Sequence, residues 1–233
     1  MRNKYIQFVI MIIAIFLVTG VVLKIKIDKI NNNSKINNQS IDSNESEGEE
    51  IIANKFLEDG EMRGVWLSTV SNLDWPEISS YKNSKVQQEM LKEKFDFIEE
   101  QNMNTIFFQV RPMGDAFYKS NYAAWSKYLT GSLGEDPGYD PLEFAINEAH
   151  KRGLELQAWF NPFRIDSNST GFNMDNYINE LPEQSPLKNN SNWIVKYNNY
   201  HYLDVGIPEV REYVIDTIIE VVKNYNIDGV VLD

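Results

Sequence analysis

From residue 63 the chain alternates β-branched or aromatic runs with amphipathic helical patterns, an order that leads to a parallel sheet covered by helices. The strand-like runs fall at residues 63–70, 105–110, 154–160 and 227–233. The run at 105–110 is apolar almost throughout, the pattern of a strand covered on both faces. Residues 84–100 read as a helix opened by a capping box from Ser84 to Gln87, with Val86, Met90, Leu91, Phe97 and Ile98 on its apolar face. Asp140 and Pro141 suit the cap and first turn of a second helix, which carries Leu142, Ala145, Ile146 and Ala149 and stops at Gly153. A third opens at Pro208 and turns Val210, Val214, Ile218, Val221, Val222 and Tyr225 inward.

The connections are unequal. Helix-to-strand links are about two residues or fewer, whereas strand-to-helix links run to roughly 13, 29 and 46 residues. Long loops gathered at the carboxyl ends of strands are where α/β folds build their sites. No Gly-x-Gly-x-x-Gly follows any strand, which weakens a dinucleotide-binding version of the fold.

Ahead of this pattern, residues 6–23 are 18 positions without a charge, preceded by Arg2 and Lys4. Such a length can cross a bilayer as a helix, and the segment ends in only a poor version of a signal-peptidase site. The expected organisation is a cytoplasmic stub and transmembrane anchor over 1–27, a flexible polar and acidic linker over 28–60, and a folded domain over 61–233. That domain is expected outside the cytoplasm, in a single-pass protein of the cell membrane. Between Asp42 and Glu61 eight acids face one lysine, a solvated stretch that holds much of the net charge of −12. The charge balance argues against nucleic acid as a partner. The absence of cysteine removes disulfides and thiol chemistry, and two histidines, His150 and His201, do not suggest a multi-histidine metal centre. No metal and no cofactor are expected.

Several stretches point to a family. Residues Arg63-Gly64-Val65-Trp66-Leu67 with Asn72-Leu73-Asp74-Trp75-Pro76, then Gln109-Val110-Arg111-Pro112-Met113-Gly114-Asp115-Ala116-Phe117-Tyr118, come first. Trp125-Ser126, Leu129-Thr130-Gly131, Asp136-Pro137-Gly138-Tyr139-Asp140-Pro141-Leu142, His150-Lys151-Arg152-Gly153-Leu154-Glu155 and Ala158-Trp159-Phe160-Asn161-Pro162 follow in order. Together they resemble the glycosyl hydrolase-like 10 family from Glu61 to Asp233. The resemblance implies a (β/α)8 (TIM) barrel, of which four strands and three helices are expected here, and hydrolysis of an O-glycosyl bond. It also implies a bacterial cell-envelope polysaccharide as substrate, with peptidoglycan glycan strands as one class. Gln157 stands where many relatives carry histidine, and the family's domain continues past its fourth strand.

Glycoside hydrolysis usually uses two carboxyl groups, one protonated and one ionised. Asp233, at the carboxyl end of the fourth strand, is the expected catalytic member of such a pair. Asp74 and Asp115, in the loops after strands one and two, are expected to bind sugar hydroxyls. Arg111 is placed to hold a sugar carboxylate or orient an acid, and Asn161 and Arg164 follow the third strand in the same way. Trp75, Tyr118 and Trp125 are loop aromatics suited to stacking on sugar rings, whereas Trp66 and Trp159 are expected in the core. Two other readings stay open: a glycan-binding protein without catalysis, and a truncated product without function.

Overall fold

A computed structural model of the chain describes residues 61–166 and 171–233. The expected anchor at 6–23 and the linker at 28–60 lie outside the described residues. Among the described residues no helix is long and apolar enough to cross a membrane.

The element order is β1 (Gly64–Leu67), α1 (Ser84–Glu100), β2 (Thr105–Arg111), β3 (Asp115–Ala116), β4 (Ala124–Trp125), α2 (Lys127–Thr130), α3 (Pro141–Lys151) and β5 (Glu155–Phe160). Then come β6 (Arg164–Asp166), α4 (Met174–Glu180), β7 (Ile194–Tyr197), β8 (Tyr200–Leu203), α5 (Pro208–Asn224) and β9 (Gly229–Leu232). The expected strands form one parallel sheet in the order β1-β2-β5-β9. The spatial order follows the chain without reversal, unlike doubly wound sheets, which reverse at a switch point. The fold is α/β with a parallel sheet, and its carboxyl ends all face one way.

The long connections contain structure that periodicity does not reveal. Residues 112–140 hold the short parallel pair β3–β4 and the single turn α2, and residues 161–207 hold an antiparallel sheet of order β6-β8-β7. These loops form much of the core: Phe117, Tyr118, Leu129, Leu187 and Leu203 are all buried in it.

Two features of the first helix differ from expectation. Its cap is Asn83, whose side-chain oxygen accepts from the Val86 amide at 3.2 Å, one residue earlier than the Ser84 box. Gln87 turns inward, buried, and donates to the Ser80 and Leu129 carbonyls at 3.0 and 2.7 Å. The buried face is Gln87, Leu91, Phe95 and Ile98, while Val86 and Phe97 are exposed. The second helix behaves as expected: Asp140 accepts from the Glu143 amide at 3.0 Å, and Gly153 takes the positive φ of +67° that follows its end.

On one sheet face Leu67, Ile106, Phe108, Val110, Leu156, Ala158 and Phe160 are buried. The alternate residues point the other way. There Trp66 stacks on Phe107 at 4.6 Å and meets Trp159 edge-on at 4.9 Å. Trp66 packs on these two rings and is 51% exposed, on the side that no described element covers. With β1 and β9 each paired on one side only among the described residues, the segment presents two free edges and an apolar face. Residues 61–233 produced alone are expected to elute from size exclusion as oligomers or aggregates. A monomer with a sharp, cooperative unfolding transition would contradict this.

Candidate active site

The carboxyl ends of the four parallel strands are joined by a chain of polar side chains. Gln109, near the end of β2 and 1% exposed, is its hub. Its side-chain oxygen accepts from the Thr69 and Val70 amides at 2.8 and 2.9 Å and from the Ser68 hydroxyl at 3.0 Å, which ties in the residues after β1. The amide nitrogen donates to the Asn161 side-chain oxygen at 2.6 Å, just past β5. Asn161 in turn donates to the Asp233 carboxylate at 3.0 Å, just past β9. The Asp233 main-chain amide donates to the Phe160 carbonyl at 3.0 Å, so the backbone and the side chain are both held. The Asp233 carboxylate thus stands on a buried amide relay that reaches across the sheet to the residues after β1.

A second polar group lies beneath the loops. Arg111, the last residue of β2, is 1% exposed and donates to the Tyr213 hydroxyl at 3.4 Å from α5. Its Nε and Nη1 have no hydrogen-bond partner among the described residues. Asp115 lies close enough for its charge to act on Arg111, and its Oδ2 accepts from the Ser126 hydroxyl at 2.5 Å. Burial raises the Asp115 carboxyl above its ordinary value, although Ser126 and Arg111 pull the other way. Tyr177, buried, donates to the Gly114 carbonyl at 2.9 Å, and a Cβ on Gly114 would fall 2.3 Å from that hydroxyl. Tyr177 also lines a cavity of about 450 Å³ with Lys127, Asp166, Phe172, Asn173 and Glu180. Its volume lies in the roughly 300–1,000 Å³ range of ligand pockets.

Because the Asp115 shift is upward, the carboxyl favours the fold most while protonated, below roughly pH 4, and this contribution is lost as pH rises through the folded-state value. The stability of wild type relative to Asp115→Asn is therefore expected to fall as pH rises from about 4 and then level off. Parallel urea titrations of the two proteins check it, and a flat or rising difference would contradict it.

The glycosyl hydrolase-like 10 family model matches residues 61–233. The chain belongs to the glycosyl hydrolase-like 10 family. It is 45% identical over 175 residues to glycosyl hydrolase YngK of Bacillus subtilis (strain 168), a match covering 75% of this chain and 33% of that protein. With glycosyl hydrolase DigH of Escherichia coli (strain K12) it is 42% identical over 180 residues, covering 74% and 41% respectively. The matched region thus spans a third to two-fifths of the length of these relatives. Among solved structures, α-L-fucosidase isoenzyme 2 from Paenibacillus thiaminolyticus matches at TM-score 0.48 and 17% identity, over 74% of this chain and 23% of that one.

Of the residues expected at a site in this family member, the fold brings Asn161 and Asp233 together directly. Arg111 and Asp115 also adjoin, but both are buried beneath loop residues. Two expectations need correction. Trp75 is wholly buried, with its indole nitrogen donating to the Gln87 carbonyl at 2.9 Å and its ring against Phe108 and Phe117. Tyr118 is 1% exposed against Tyr225. Neither has a free ring face for a sugar. Asp74 is exposed and accepts from the Ser68 amide at 2.7 Å, closing the turn after β1. Trp125 is half-buried on β4, and Arg164 is half-buried on β6 beside Tyr202.

Gln109 and its partners Ser68 and Thr69 were missed by sequence reasoning. The signal was a glutamine inside an otherwise apolar buried strand, since a buried amide must be hydrogen-bonded. Gln157 donates to Glu155 at 3.0 Å and lies across Gly229, where a Cβ would come within 1.8 Å of its oxygen. No group of three or more His, Asp or Glu side chains that could hold a metal occurs among the described residues.

Proposed function

We propose that this chain is the site-bearing first part of a (β/α)8 glycoside hydrolase that acts on a cell-envelope polysaccharide, with peptidoglycan glycan strands as the substrate class. The observation that carries this reading is the polar relay from Ser68 and Gln109 through Asn161 to Asp233, which ends on a carboxylate at the carboxyl end of the fourth parallel strand. Barrel enzymes build their chemistry at that end. Membership of a glycosyl hydrolase-like family supports the same reading.

In this reading Asp233 is one carboxyl group of the pair that cleaves the glycosidic bond. Asn161 donates to it and fixes the direction in which the carboxylate is presented. The second carboxyl group would come from outside the described residues. Residues 6–23 would anchor the protein in the membrane, with the domain on the outer side, where a cell-wall glycan is within reach.

The test is reducing-end release from purified peptidoglycan by the full-length protein. New reducing ends that accumulate with time support hydrolysis. Retention on the polymer without release would favour a glycan-binding protein instead.

A further inference from the structure

The antiparallel sheet after β5 has two unlike faces. Cross-strand partners lie on the same face of a sheet, and alternate residues share it. Val195 pairs with Tyr202, Tyr197 with Tyr200, and Arg164 with Tyr202. One face therefore carries Val195, Tyr197, Tyr200, Tyr202 and Arg164. The opposite face buries Ile194 and Leu203 and sets His201 against Phe172 at 4.3 Å. The tyrosine face is open: Tyr197 is 69% and Tyr200 41% exposed, and the Tyr200 and Tyr202 rings meet edge-on at 6.3 Å.

Three further observations bear on what covers it. The hairpin is fixed to the site-bearing strand, because the Leu203 amide donates to the Phe163 carbonyl at 2.8 Å, two residues past Asn161. Residues 184–203 contain no acid, in a chain with 34 of them. Three of the twelve tyrosines fall within residues 197–202. The sheet's one acid, Asp166, pairs with His201 on the opposite face, so a row of rings beside a cation is left on this one, which suits the C–H faces and carboxylates of an acidic polymer of sugars.

We propose that the β6-β8-β7 sheet is a glycan-binding platform on which Tyr197, Tyr200 and Tyr202 stack successive sugar rings while Arg164 meets a sugar carboxylate, leading the chain toward Asp233. The proposal rests on the glycan reading above, and it is tested by binding alone so that the two can fail separately. Full-length Asp233→Asn protein is titrated against purified peptidoglycan in a sedimentation assay, with and without Tyr197→Ser and Tyr200→Ser together. Both positions are exposed near the hairpin tip, and an unchanged unfolding midpoint verifies that the variant folds.

Roughly tenfold weaker binding is expected from the paired substitution, while Tyr200→Phe, which keeps the ring, binds like its parent. Unchanged binding in the paired variant would overturn the platform, as would failure of the parent to bind peptidoglycan. Unchanged glycan binding with loss of self-association in analytical ultracentrifugation would also overturn it, in favour of an interface between copies. Weakened binding in the paired variant, together with no reducing-end release by the wild-type protein, would sustain the platform and remove the hydrolase reading.

Discussion

Gln109→Leu is expected to lower the unfolding free energy by roughly 3–5 kcal/mol and to release Asp233 from its present orientation. Leucine fills most of the volume but offers no polar atom. The Thr69 and Val70 amides, now bonded to Gln109 at 2.8 and 2.9 Å, would be left without that acceptor. Asn161 would lose the donor at 2.6 Å that fixes which way its own amide faces. Each buried polar group left unpaired costs about 1–3 kcal/mol, and the terms of a connected network do not simply add. Urea unfolding of full-length wild type and variant measures the stability change. A loss under about 1 kcal/mol would mean that water replaces the lost partners and that the relay does not hold the site together.

The sheet itself was legible in the sequence. The runs beginning at Arg63, Thr105, Leu154 and Ile227 alternate with helical patterns, and each became a strand of one parallel sheet in chain order. Local signals with a mechanical basis also held, as with Asp140 capping α3 and Pro141 in its first turn. What sequence did not disclose was the depth of the loops. Trp75 and Tyr118 look like loop aromatics available to a ligand, but residues 112–140 fold back over the sheet ends and bury both rings. Burial of that kind is set by long-range packing and leaves no periodic trace.

The candidate site was legible in part. Asn161 and Asp233 follow strands three and four, and position alone suggested both. The buried amide that links them to strand one sits inside β2, where an apolar run drew attention to packing instead. The antiparallel sheet of residues 164–203 escaped because its short strands, such as Tyr200–Leu203, are interrupted by polar turns with no hairpin signature beyond Asn198-Asn199.

Asp233→Asn carries the largest expected effect on activity. The substitution keeps the shape and a hydrogen-bonding group beside Asn161 while removing the charge, so the fold and glycan retention should persist. The chemical step should not, because neither a nucleophile nor a general base survives conversion to a neutral amide. Loss of a group acting in proton transfer corresponds to roughly 10²–10⁴-fold in rate, and a lost nucleophile to at least as much. The decisive measurement is the initial rate of reducing-end release from purified peptidoglycan by full-length wild type and Asp233→Asn at equal concentration. A fall of roughly 10³-fold with unchanged unfolding is the expected result, and hydrolysis by Asp233→Asn at the wild-type rate would contradict the assignment.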